Sequence, residues 1–307
     1  MMCSRCWFAV VLSLLAACAV APGESSHEST TSAEVVSVNR VAGNRVAGNR
    51  IALNRISLSR LALRRLSNGR LALTEEARNL LVDDDARELL SLVVSCAVPL
   101  GTTLVATVNG VDFDFPGEIG LAPQWLSGRL DPVGQRWVSA CMLARVSAHE
   151  VVIPISMRGP NPELAADALE RATWTLEEGA FFGDVFGPLN EPLQWFACRG
   201  RDKARGNAGE LADRDCAAPD PAHPGFTLCG MVFAGDCGNF ARDQVCEAFS
   251  ARGTFYENCH TSPLRHPHGD RDDDGDEHRD DHGDEHRDDH RDDRQVFAQA
   301  ITTFATP

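Results

Sequence analysis

The chain has 307 residues, a net charge of −15 and 11 cysteines, and arginine supplies all but one of its 29 basic residues. Nucleic acid is not an expected partner. The sequence lacks the motifs G-x-S-x-G, S-x-x-K and H-E-x-x-H and the P-loop, which excludes the enzyme classes that these motifs identify.

Residues 1–17 are predicted to be a lipoprotein signal peptide. Arg5 precedes an apolar run over residues 7–15, which is far shorter than the roughly 20 residues needed to cross a bilayer. The letters LAAC at residues 15–18 closely match the bacterial lipobox. We therefore expect cleavage before Cys18 and acylation of its sulfur and α-amine. An ordinary A-x-A signal with an incidental cysteine is the alternative.

Eight cysteines remain if Cys3 and Cys6 leave with the signal peptide and Cys18 carries lipid. They are Cys96, Cys141, Cys198, Cys216, Cys229, Cys237, Cys246 and Cys259. An even number in an exported chain predicts four disulfides, whose pairing the sequence leaves open. No C-x-x-C occurs among the eight, so the spacing of a zinc ribbon is absent.

Residues 18–38 are predicted to be a flexible Ser/Thr-rich tether, and residues 39–73 repeat an arginine in pentads such as NRVAG and NRIAL. A period of five suits neither a helix nor a flat strand, because successive arginines would not share a face. A coil that turns every five residues does suit it. The spacing of apolar residues then resembles that of the pentapeptide-repeat β-helix. An irregular tether, or a helix over residues 56–73, is the alternative.

The repeat segment carries eight arginines and no acidic residue over residues 39–74. Because it follows a predicted lipid anchor, we expect the membrane as a partner and anionic lipid head groups as a second one. Solvated arginines that keep the segment soluble are the alternative.

Residues 74–262 are predicted to be a Cys-rich α+β domain that begins with two helices and a hairpin. Thr74 can cap the first helix, and Asp83 or Asp84 can cap the second, which runs to about Val94. Asn109-Gly110 predicts a two-residue hairpin loop. The predicted cross-strand pairs, all on one face, are Val108 with Val111, Ala106 with Phe113 and Leu104 with Phe115.

The rest of this domain is predicted to interleave helices with strands. A helix starts at Asp131-Pro132, and residues 162–172 form a short one. Strands are predicted within 150–157, 172–179, 180–186 and 193–200. Loops rich in cysteine follow to about residue 259, where disulfides would substitute for a core. The absence of a strict βαβ order favours an α+β fold with a mostly antiparallel sheet.

Four sequence features resemble a group of lipoproteins of myxobacteria. They are the N-R-[VIL]-[AS]-L repeats and the stretches ELLSLVVSCAVPLGT, GLAPQWL and RWVSACMLARVSAHEVVIPISMRG. The resemblance covers the signal peptide, the repeats and the domain to about residue 260. It implies a shared fold and carries no activity, because none is assigned to that group.

Enzymatic candidates are few. Glu177 and Glu178, with Asp184 nearby, offer paired carboxylates of the kind that glycosidases use. His149-Glu150 adjoins a strand but lacks a second histidine. Tryptophans are more often core residues than sugar platforms; those concerned are Trp125, Trp137, Trp174 and Trp195.

Residues 263–295 are predicted to be a disordered tail rich in Asp, His and Arg. His278, His282, His286 and His290 recur every four residues, so a helical conformation would align imidazoles able to bind Zn²⁺. Residues 270–275 match the start of a calcium loop, but Asp281 stands where Glu is usual. Zn²⁺ or Ca²⁺ is therefore the expected ligand, and a plain solvating tail is the alternative. Residues 296–307 form a short segment that would dock onto the body.

These features predict an exported protein, anchored by lipid at the bacterial envelope, on the outer membrane or the cell surface. We expect a non-enzymatic binding or structural module with weak divalent-metal binding by the tail. A secreted hydrolase that uses acidic residues near Glu177 is the alternative.

Overall fold

A computed structural model describes three short strands near the N-terminus and most of the Cys-rich domain. The described residues are 36–38, 66–67, 70–71, 75–146, 153–187, 194–206, 209, 211, 214–238, 244–247, 255–261 and 295–307. The chain divides into residues 1–32 and residues 33–307, and every described residue belongs to the second unit. Most of the pentad repeat and the whole His-rich stretch lie outside the described residues.

The described part of the domain begins with two helices, and the cap of the second follows from the sequence; Thr74, the predicted cap of the first, lies outside the described residues. Helix α1 spans Glu75–Leu80 and helix α2 spans Asp84–Ala97. The carboxylate of Asp83 accepts the backbone N–H of Asp85 at 3.1 Å, which confirms the predicted cap. Helix α2 ends three residues later than expected, because its last turn is buried in the core.

The predicted hairpin is confirmed in its register. The hairpin belongs to a four-stranded sheet made of β2 (Leu66–Ser67), β3 (Arg70–Leu71), β4 (Thr103–Val108) and β5 (Val111–Pro116). Strand β1 (Val36–Val38) belongs to the main sheet described below. Asn109 and Gly110 both have positive φ, as a type I′ turn requires. The three predicted cross-strand pairs occur. Only Val111 departs from the apolar face, since it adjoins the turn and is 55% exposed.

Helix α3 (Pro132–Ala144) begins where the Asp-Pro signal places it. The carboxylate of Asp131 accepts the N–H of Gly134 at 2.7 Å. Two links join this helix to α2: the Cys96–Cys141 disulfide, and the buried Arg145 guanidinium, which donates to Ser95 Oγ at 2.7 Å. The two helices therefore share one core with the hairpin.

The main sheet has six strands in the order β1-β6-β12-β7-β8-β9. Its later members are β6 (Pro154–Arg158), β7 (Leu176–Asp184), β8 (Gln194–Arg199), β9 (Val232–Asp236) and β12 (Ala300–Ala305); β10 (Cys259–His260) and β11 (Val296–Phe297) pair separately. All neighbours in the main sheet are antiparallel except β8 and β9. The prediction of a mostly antiparallel α+β fold with disulfides is confirmed for the described residues, which contain five helices.

The last residues of the chain supply a central strand. Strand β12 lies between β6 and β7, and all six of its residues are buried. The predicted short docking segment is therefore part of the framework. Successive residues of strand β7 face opposite cores. Phe181 packs with α2 and α3, whereas Phe182 packs with Phe196 and Phe297.

The predicted short helix at 162–172 is interrupted. A 3-10 turn covers Pro162–Leu164, and helix α4 covers only Ala168–Thr173. The break has a local cause, because Asp167 adopts an extended backbone and caps α4 by accepting the N–H of Glu170 at 2.8 Å. A last short helix, α5, spans Arg201–Ala204.

The central position of β12 yields a stability prediction. Ile301→Ala removes a fully buried side chain and should lower the free energy of unfolding by about 2–5 kcal/mol. Val296→Ala, in the same terminal segment but 45% exposed, should change it by less than about 0.5 kcal/mol. Urea unfolding of both variants measures the difference. Equal, small effects would contradict the placement of β12 inside the sheet.

Candidate functional site

The two glutamates proposed as catalytic carboxylates lie inside strand β7 and are buried. Glu177 is 3% exposed, and Glu178 is 0% exposed. The sheet registers Phe304 opposite Glu177 and Thr303 opposite Gly179, so Glu178 occupies a bulge. A catalytic carboxylate must be free to reach a substrate, whereas both of these carboxylates are hydrogen-bonded inside the fold.

Glu177 is held by hydrogen bonds on one oxygen. Its Oε1 accepts the hydroxyl of Tyr256 and the backbone N–H of Arg201, the latter at 2.8 Å. Burial raises the pKa of Glu177 despite these bonds, because removal from water disfavours the carboxylate. Burial and the neighbouring carboxylate likewise raise the pKa of Tyr256. The pair joins β7 to the Cys-rich loops.

Glu178 forms a buried ion pair. Its Oε2 accepts Arg214 Nε at 2.7 Å and the Thr303 hydroxyl at 2.7 Å, and both charged side chains are fully buried. Arg214 also donates to the carbonyl of Ala144 at 2.8 Å. The carboxylate thus links β7, β12 and the end of α3. Removing one partner of such a pair leaves an uncompensated buried charge.

The carboxylates do not converge on one cleft. Glu178 contacts Thr303, whereas Tyr256, the partner of Glu177, contacts Thr302 at 2.9 Å. Tyr256 belongs to the core around Phe182, whereas Arg214 contacts Ala144 in the other core, so the two glutamates serve different cores. Asp184 lies seven residues along the strand, about 23 Å away at 3.3 Å per residue. The fourth candidate, His149, lies outside the described residues.

The four tryptophans weighed as sugar platforms are core residues, as predicted. Trp125 is fully buried, and Trp137, Trp174 and Trp195 are each less than 10% exposed. A stacking platform needs an open ring face. These residues therefore offer none.

All eight cysteines of the domain are paired. The disulfides are Cys96–Cys141, Cys198–Cys237, Cys216–Cys229 and Cys246–Cys259. Two of them touch, because the Sγ atoms of Cys198 and Cys246 lie 3.6 Å apart. Three sulfurs, those of Cys198, Cys237 and Cys246, are close enough together to hold a metal ion if they were reduced. In the oxidised pairs they have no thiolate to offer.

The remaining predicted sites lie outside the described residues: the lipidation site Cys18 and the tail histidines His278, His282, His286 and His290. Among the helices that are described, none has the length and apolarity to cross a bilayer.

One concave feature was missed from the sequence. A groove of about 610 Å³, here called the Arg158 groove, lies at the end of β6 beside the 3-10 turn. Its lining consists of Arg158, Gly159, Pro160, Asn161, Pro162, Leu164, Ala165, Ala166, Arg171 and Phe255. The proline-rich letters RGPNP were its only signal in the sequence, and they indicate a turn rather than a site.

Comparison of the chain with protein-family models, with curated proteins and with solved structures finds no match.

The raised pKa of Glu177 predicts how stability depends on pH. The native state holds this proton more tightly than the unfolded chain, whose glutamates titrate near 4.3. Stability is therefore lost as the pH rises from about 4 through the native pKa. Glu177→Gln keeps an oxygen for Tyr256 and Arg201 but cannot ionise. Its free energy of unfolding should therefore not fall over this pH range through position 177.

Urea unfolding at a series of pH values tests this prediction. Relative to Glu177→Gln, the native chain should become less stable as the pH rises above about 4. Glu163→Gln, at an exposed position, is the control. Parallel stability curves for the native chain and Glu177→Gln would show that the burial of Glu177 has no energetic consequence.

Proposed function

We propose that the protein is an exported, lipid-anchored binding module of the bacterial envelope without enzymatic activity. Cys18 carries the lipid, residues 18–38 form the tether, and the disulfide-bonded domain is the part presented. The repeat arginines lie near anionic head groups in this proposal, which is consistent with the resemblance to a group of myxobacterial lipoproteins.

The pairing of the cysteines is the observation that carries the proposal. Every cysteine beyond residue 18 lies in one of four pairs. Disulfides form and persist in oxidising compartments and are rare in the cytosol of mesophiles. The 11 cysteines of the chain are thus accounted for by two in the leader, one at the acylation site and eight in bridges.

The energetics agree with export. The bridges span 13 to 45 residues, and each contributes about 3–4 kcal/mol by restricting the unfolded chain. Several such terms are comparable with the total stability of a domain, about 5–15 kcal/mol. The described residues between β8 and β10 contain only helix α5 and strand β9 as regular elements, so we expect this segment to depend on the disulfides.

The hydrolase alternative gains no support from the described residues. Its proposed carboxylates are buried and hydrogen-bonded, and they face different cores. Their contacts are those of structural residues that join strands to loops. A binding role requires no such groups at the surface.

The lipid anchor predicts a labelling experiment. Cells grown with an azide-bearing fatty acid should label the native chain, because the lipid is attached to the sulfur and amine of Cys18. Cys18→Ser should lose the label. Cys6→Ser is the matched control, since this cysteine leaves with the leader, and it should be labelled like the native chain. An unlabelled native chain would contradict the anchor.

The tail is proposed to bind divalent metal ions weakly. His278, His282, His286 and His290 would supply imidazoles for Zn²⁺, and the surrounding carboxylates would attract Ca²⁺. A truncation is unsuitable as a test, because β12 follows the tail and lies inside the sheet. Substitutions in the full chain avoid this difficulty.

Replacing these four histidines by alanine should weaken Zn²⁺ binding more than tenfold and leave Ca²⁺ binding unchanged, since only zinc prefers imidazole. Calorimetric titration of the full chain measures both. The control replaces Arg271, Arg279, Arg287 and Arg291 by glutamine, which makes the tail more acidic and should not weaken Zn²⁺ binding. Unchanged Zn²⁺ binding in the histidine variant would remove the proposal.

A further inference from the structure

The Arg158 groove has the size and lining of a small-molecule site. Its volume of about 610 Å³ lies within the range of roughly 300–1,000 Å³ typical of ligand pockets. One part of the lining is apolar and comes from Pro160, Pro162, Leu164, Ala165, Ala166 and Phe255. Such a surface accepts the hydrocarbon part of a ligand.

Arg158 places a cation in this lining and holds it rigidly. Its side chain is only 4% exposed. Its Nε donates to Ser156 Oγ at 2.9 Å, its Nη2 donates to the carbonyl of Trp174 at 2.8 Å, and the guanidinium lies 3.9 Å from the ring centroid of Phe304. Among the described residues, Nη1 has no hydrogen-bond acceptor. A fixed guanidinium with unused donors is suited to a carboxylate.

The described lining of the groove carries two positive charges. Arg158 and Arg171 both belong to it, and none of its described residues is acidic. Glu170 lies behind Arg158 and accepts the Ser156 hydroxyl at 2.6 Å. The lining itself therefore sets two guanidiniums against this one buried carboxylate, and the exposed carboxylates of Glu163 and Asp167 are not part of the described lining. Asp167 is exposed and is used to cap α4.

The desolvation of Arg158 also favours the binding of an anion in the groove. Burial lowers the pKa of Arg158 to about 10, and the attraction of Glu170 offsets only part of this shift. The cation is therefore incompletely compensated inside the protein. An anion bound beside it would supply the missing interaction.

We propose that the Arg158 groove binds a small organic carboxylate, with the carboxylate on Arg158 and Arg171 and the apolar body against the prolines, Leu164 and Phe255. This inference deepens the proposed function, since it names the ligand class of the binding module. Arg158 fixes the position of the head group. Arg171, which is exposed and donates to the carbonyl of Ala166, adds the second charge at the rim.

Titration calorimetry with three water-soluble acids and their amides tests the ligand class. The probes are hexanoate, 4-phenylbutyrate and indole-3-acetate, and each is compared with its own uncharged amide. The full chain is used, in phospholipid nanodiscs if it is acylated and in buffer if it is not. We expect at least one acid to bind at least tenfold more tightly than its amide, because the amide lacks the charge.

Variants locate the binding. Arg171→Gln should weaken binding of that acid about tenfold, and Ala165→Trp should abolish it by filling the groove; both residues are exposed, so the fold should tolerate the changes. The matched controls are Arg129→Gln and Ala222→Trp, at exposed positions outside the groove. Both controls should bind like the native chain.

The inference is overturned if no acid binds more tightly than its amide, or if Arg171→Gln and Ala165→Trp bind like the native chain. Either result leaves the lipid anchor untouched, since labelling at Cys18 is measured separately. Loss of labelling with retained acid binding would, in turn, remove the anchor and keep the groove.

Discussion

The four disulfide bonds hold together the helices, the strands and the loops of the domain. Cys96–Cys141 joins the two long helices, and Cys198–Cys237 ties β8 to the residue after β9. The other two close loops beyond β8. The buried Glu177–Tyr256 and Glu178–Arg214 contacts lie between the main sheet and these loops. Because the bridges restrict these loops, we expect them to stabilise both contacts.

Features set by local rules could be predicted from the sequence. The caps at Asp83 and Asp131 and the Asn109-Gly110 turn each depend on a few neighbouring residues, and all three occur as expected. The central place of β12 could not be predicted, because it pairs with strands more than 110 residues earlier. The same reason explains why the buried positions of Glu177 and Glu178 could not be predicted. Thr303, which binds Glu178, is 125 residues away from it.

The Arg158 groove illustrates the same limit for a site. Its rigid guanidinium depends on Trp174 and on Phe304, which come from another helix end and from the last strand. No motif marks such an arrangement. By contrast, the sequence drew attention to paired acids that folding uses for internal contacts. The charged groups in the described lining of the groove are cations beside an apolar surface.

The central claim is that the protein is oxidised outside the cytoplasm, and a disulfide map tests it most directly. Native protein would be alkylated during isolation, digested without reduction and analysed by mass spectrometry. The account predicts no alkylated thiol among the eight cysteines of the domain and four linked pairs: Cys96–Cys141, Cys198–Cys237, Cys216–Cys229 and Cys246–Cys259. Alkylated thiols at these positions, or a predominant Cys198–Cys246 link, would contradict it.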